Sequence, residues 1–164
     1  MAIATADFWK SINAAWDAST LDALFRAVKS ITASHIVLHD QDASPGQDYP
    51  YCVVNQFSSS TVSRMSGGVD SLREVRDAQV TFNVHAKEVS GDSRSAKQIA
   101  AYLAEEIMKV FGGHPTVTAT ASMELDNGNV LLSEYQTDYG IFIPDDEFNW
   151  IVSYRFEVDV PVMA

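Results

Sequence analysis

The chain has 164 residues, 46% of them hydrophobic, and sets 22 acidic side chains against 11 basic ones for a formal net charge of −11. That length suits one domain, 1–164, able to bury about 70% of its unfolded surface, and no apolar run nears the ~20 residues of a membrane span. The lone Cys52 excludes an internal disulfide, and Met1–Asp7 lacks the basic and apolar segments of a secretory signal, so a reducing cytoplasm is the expected place of synthesis.

The acidity is uneven. Residues 1–114 carry a net charge of −3, whereas residues 115–164 hold nine carboxylates against Arg155 alone, a net of −8. Retention of DNA or RNA requires Lys and Arg to neutralise phosphates, and the C-terminal third has no such patch. Such a surface either keeps the protein soluble or repels nucleic acid that has to pass without sticking.

In chain order, Asp7 is expected to cap a first helix with Phe8, Ile12 and Trp16 on one side. Ser19 or Thr20 opens a second, whose Leu21, Leu24, Phe25, Val28 and Ile31 form an apolar stripe. A short strand His35–His39 and a turn-rich stretch from Asp40 to Asp48 precede a strand from Tyr51 to Phe57. Ser58 to Leu72 is rich in Ser and Gly and predicts a long polar loop, mobile in the free chain and ordered by a neighbour. Arg73–Ala86 alternates polar with apolar residues, the pattern of a strand with one buried face.

Asp92 or Ser93 is expected to cap the next helix, with Ala96, Ile99, Ala100, Leu103, Ile107 and Val110 buried and Glu105 paired to Lys109. Gly112-Gly113 and Pro115 end it. Val117–Leu125 alternates, Asp126-Asn127-Gly128-Asn129 signals a hairpin, and Val130–Ile143 returns as a strand. After a turn at Pro144–Glu147, the final strand Phe148–Val160 sets Phe148, Trp150, Val152, Tyr154, Phe156, Val158 and Val160 against Asn149, Ser153, Arg155, Glu157 and Asp159. Helices and strands segregate without a repeated βαβ unit, so the fold class is α+β: a mainly antiparallel sheet of long strands with helices packed on one face. A strand of a dozen residues spans about 40 Å, twice the usual length, and can overhang a small core to meet another subunit.

Candidate chemistry is sparse. His35, His39, Asp40 and Asp42 form the densest set of possible metal ligands, but two His four residues apart on a strand stand about 13 Å apart, too far for one ion. Pro45 and Tyr51 occupy positions where a calcium loop needs Gly and Glu. His85 and His114 read as surface or capping residues, Cys52 as a small core residue, and Trp150, Tyr154 and Phe156 as core. Ser66-Gly67-Gly68 lacks the Lys of a phosphate loop, and Asp145-Asp146-Glu147 reads as a solvated turn. Nucleophile, base and oxyanion donor do not assemble, so no catalytic residue, metal ligand or cofactor is expected.

The order of elements, with Tyr49-Pro50-Tyr51-Cys52-Val53-Val54 opening a strand, resembles the tail-terminator or tail-completion proteins of long-tailed bacteriophages. Arg73-Glu74-Val75-Arg76-Asp77-Ala78-Gln79-Val80 entering a long strand adds to the likeness. Asp92-Ser93-Arg94-Ser95-Ala96 leading into a helix, and a hairpin ending Trp150-Ile151-Val152-Ser153-Tyr154-Arg155, complete it. The doubled N-terminal helix and the long Val130–Ile143 strand depart from that pattern and fit other neck or connector proteins as well. The resemblance implies a structural role in the virion neck, with subunits in a ring, commonly a hexamer. The ring would stop the tail tube, meet the head connector or stopper protein, and let DNA pass without specific binding. Arg64, Met65, Arg73 and Arg76 are the expected subunit contacts. The alternatives are an acidic protein-binding adaptor or chaperone-like module acting as monomer or dimer, and a hydrolase or metal enzyme using the His35–Asp42 region.

Overall fold

Alternation along the central strands decides how the chain folds. In the computed structural model, which describes residues 5–28, 36–40, 48–66, 72–116, 124–125 and 128–161, Ala78, Val80, Phe82, Val84 and Ala86 are all buried on one face of β3 (Leu72–Lys87). Val152, Tyr154 and Phe156 do the same on β6 (Glu147–Pro161). These strands pair antiparallel without a register shift from Arg73 opposite Pro161 to Lys87 opposite Glu147. Each is flanked by another long strand: β2 (Tyr51–Ser66) beside β3, and β5 (Gly128–Ile143) beside β6. Two short strands, β1 (Leu38–His39), parallel to β2, and β4 (Glu124–Leu125), antiparallel to β5, complete what is, among the described residues, a six-stranded sheet in the order β1-β2-β3-β6-β5-β4.

The helices α1 (Thr5–Asp17), α2 (Leu21–Val28) and α3 (Ala96–Phe111) contribute to one apolar core on the face that carries Phe82 and Tyr154. Asp7 lies inside α1, where a cap was expected; Ile12 and Trp16 are buried as the stripe requires. Ser19 joins α1 to α2: its hydroxyl donates to the Trp16 carbonyl at 2.6 Å and accepts from the Leu21 amide at 3.2 Å. Ser95, not Asp92 or Ser93, caps α3, in a reciprocal box with Gln98. Asp92 binds the Arg94 backbone and guanidinium instead, which lowers its carboxyl to about 2. Lys109 pairs with Glu106 at 2.6 Å and not with Glu105. Gly112 and Gly113 end α3 with positive φ, and a side chain on Gly113 would collide with Tyr135. Cys52 is buried in the core, which pushes its thiol pKa up.

The largest correction concerns Ser58–Leu72. Residues 58–66 are strand, pairing from Ser58 opposite Gln79 to Ser66 opposite Leu72; only 67–71 lie outside the described residues. The segment is ordered because β3 supplies backbone partners along its whole length, a gain that the polarity of the side chains does not reveal. Val117–Met123 and the turn residues 126–127 also lie outside, although β4 and β5 pair on either side of that turn. Register shifts fall only on the outer long strands, at Gln56/Ser58 and Thr61/Ser63 in β2 and at Val130/Leu132 and Tyr135/Thr137 in β5. Bulges there bend and twist the sheet while its centre stays regular.

Candidate functional site

The four expected contact residues sit at the far end of the β2–β3 ribbon. Arg64 is opposite Glu74, Met65 opposite Arg73, and Arg76 between Thr61 and Val158. The fold thus brings Arg64, Met65 and Arg73 to adjacent register positions with Arg76 slightly further along; their side chains lie outside the described residues.

Nearer the core, Arg155 gathers carboxylates on the face opposite the helices. Its guanidinium lies 2.9 Å from Asp77, 2.9 Å from Glu134 and 2.8 Å from Glu157, joining β3, β5 and β6. Hydrogen bonds to Asp77 and Glu134 hold its pKa above the ordinary value. The sole cation of the C-terminal third is thereby committed to its own sheet.

At the other end of that face a polar and aromatic cluster closes the sheet. The His85 ring stacks on Tyr51 at 4.6 Å, and its Nδ1 lies 2.5 Å from Glu147 Oε1. Tyr49 donates to Glu147 Oε2 at 3.1 Å, Lys87 lies over the Tyr49 ring, and His39 meets Tyr51 edge-on. Burial and the Glu147 carboxylate raise the Tyr49 pKa. His85 is therefore packed into a cluster, where the sequence suggested a surface residue. This face is also drier than alternation alone predicts, since Thr81 and Asn83 are buried and Asn83 Nδ2 bonds the Val53 carbonyl and Thr81 Oγ1.

The end of the β5–β6 hairpin differs in character. Phe142 is 69% exposed, Tyr139 48% and Ile141 42%. Tyr139 stands opposite Ile151 and Ile141 opposite Asn149, on the Tyr51 face. Gly140 has the reverse orientation, and a Cβ there would meet the Phe148 and Trp150 rings at 2.5–2.9 Å. Asp138 accepts from Trp150 Nε1 at 2.8 Å and from the Tyr135 hydroxyl, and that hydrogen bond raises the Tyr135 pKa to about 12. Asp145 and Asp146 form the exposed turn with positive φ. Pattern reading missed this surface because a strand alternating correctly gives no sign of which apolar positions remain uncovered.

Of the suggested metal cluster, His35 and Asp42 lie outside the described residues, and His39 Nε2 is 2.8 Å from the Ile36 carbonyl. Among the described residues no three His, Cys, Asp or Glu side chains converge as metal ligands, and no helix is long and apolar enough to cross a membrane.

No protein-family model matches the chain, and no curated protein matches it. Among solved structures it is similar to a chain of the virion of a native gene transfer agent particle: 13% identity, TM-score 0.45, covering 85% of this chain and 91% of that one. A second solved protein, bearing no functional description, is 21% identical with a TM-score of 0.39, covering 92% of this chain and 94% of that one. At these values neither likeness establishes a shared fold.

Proposed function

We propose that this chain is a structural component of a phage neck, a tail terminator or tail-completion protein, that assembles as a ring, caps the tail tube and meets the head connector. The observation that carries the reading is a mismatch of lengths. The four long strands run 15 or 16 residues, about 50 Å, whereas the 16-residue α3 covers at most about 24 Å. A sheet twice as long as its longest helix leaves a ribbon that one subunit does not cover, and a neighbouring subunit is the natural cover. Arg64, Met65, Arg73 and Arg76 lie on that ribbon and are its contacts in this reading. The acid-rich C-terminal third suits a channel through which DNA slides without being held.

Sedimentation and light scattering at high concentration, alone and with tail-tube protein, test the proposal. The expected species is a ring near six subunit masses of 18.0 kDa, visible as such in electron micrographs. Monomers or dimers alone under both conditions would transfer the chain to the adaptor reading.

A further inference from the structure

The hairpin edge at residues 137–143 has the makings of a second, separate interaction surface. Both described ends of the connection from α3 to β4 meet β5 short of it. Ser133 Oγ donates to the Phe111 carbonyl at 2.5 Å, Gly113 abuts Tyr135, and β4 pairs only with Gly128 and Asn129. From Thr137 onward, no strand among the described residues lies on the outer side of β5. The bulge at Tyr135/Thr137 ends just where this stretch begins, so 137–143 runs regularly against Ser153–Glu147.

Exposed sheet edges are ordinarily protected by Lys, Pro, a bulge or a charged side chain. Residues 137–143 contain no Lys and no Pro, and their one charge, Asp138, is turned to Trp150 and Tyr135. Tyr139 and Ile141 are exposed on one face and Phe142 on the other, so a strand added here would find apolar contact on both sides. Between Lys109 and Arg155 there is no Lys or Arg, and the turn closing the hairpin is Asp145-Asp146-Glu147. Glu147 is taken up by Tyr49 and His85 and stands opposite Lys87 on β3, which leaves Asp145 and Asp146 as the exposed carboxylates of this end.

From an edge that no strand among the described residues pairs with, the apolar faces and the exposed Asp145 and Asp146 together, we infer that the β5 edge at 137–143 receives an extended segment of a different protein, apolar at alternate positions and basic at its ends. The apolar side chains seat beside Tyr139, Ile141 and Phe142, and the cations meet Asp145 and Asp146. Pairing of this edge with the same edge of a second copy is the poorer solution, because residues 137–143 hold no cation to offer the partner's Asp145 and Asp146. The inference does not rest on ring formation; either can fail alone.

The probe is a capped synthetic peptide, Lys-Val-Thr-Val-Thr-Val-Lys, with a twin carrying Glu in place of both Lys, added to the full chain while amide exchange is followed. The basic peptide is expected to slow exchange at 137–143 and to lose effect as salt is raised, whereas the acidic twin leaves the edge unchanged. Ile141→Ser should weaken the basic peptide about tenfold. Phe142→Ser, at the most exposed of the three positions, is a second variant expected to fold normally and to weaken it less. Equal protection by both peptides, protection by neither, or protection that appears in the chain alone as concentration rises would each overturn the inference.

Discussion

Phe82 shows how strongly a single position can be committed. Its ring is fully buried, 4.7 Å from Phe111 and 5.6 Å from Tyr154 in an edge-on contact. Phe82→Ala removes that packing and leaves a cavity, so a loss of about 3–5 kcal/mol is expected in chemical denaturation, with a similar loss for Phe156→Ala. Asn83 faces the other way and is also buried, but its two hydrogen bonds are long, at 3.3 Å each; Asn83→Ala should cost about 1 kcal/mol. Equal losses at the two neighbours would mean that the faces are reversed. Tyr135 adds a pH dependence at this scale. Its hydrogen bond to Asp138, then burial, raise its pKa from 10.0 to about 12. The folded state therefore keeps a proton that the unfolded chain releases, and the contribution is complete below pH 10 and lost as pH rises through about 12. Urea titrations should show a steeper alkaline loss for the wild-type chain than for Tyr135→Phe; identical slopes would remove Asp138 as the cause.

Single elements were legible in the sequence wherever the side chains carried the stabilisation. β3 and β6 follow their alternation, and α3 buries Ala96, Ile99, Ala100, Leu103 and Ile107 as its periodicity requires. Ser58–Ser66 was not legible, because that strand is held by backbone pairing to β3 and its residues carry no alternating apolar code. The cap of α3 was missed for a related reason: Asp92, Ser93 and Ser95 are all competent caps, and Arg94 recruits Asp92 away. Of the candidate site, the register positions of Arg64, Met65, Arg73 and Arg76 follow from the ribbon, whereas the exposed Tyr139, Ile141 and Phe142 depend on tertiary cover that no local pattern encodes. The corrected ribbon replaces uniform fast exchange with a patterned expectation. From residue 58 to 66, amides directed at β3 should be protected and those on the outer edge should exchange faster, alternating on either side of the register shift at Thr61/Ser63. Uniformly fast exchange across 58–66 in residue-resolved spectra would show that the ribbon does not form in the isolated chain.

At the scale of the whole molecule, charge opposes the association that the long sheet invites. Each subunit brings a net charge of −11, and Arg155 is already engaged by Asp77, Glu134 and Glu157. Exposed ion pairs between subunits contribute only about 0–1 kcal/mol each, so Arg64, Arg73 and Arg76 can orient neighbours more readily than hold them. A ring of these subunits must depend on buried apolar and backbone contact, with long-range repulsion working against it. Salt then acts in a definite direction: raising ionic strength from 0.01 M to 0.15 M shortens the screening length from about 30 Å to about 8 Å and weakens repulsion between whole subunits more than contacts at the interface. Sedimentation at fixed protein concentration should therefore show a larger share of assembled species at the higher salt. If addition of salt dissolves the assemblies, direct ion pairs hold the ring, and the burial of the ribbon by a neighbour is the wrong account of it.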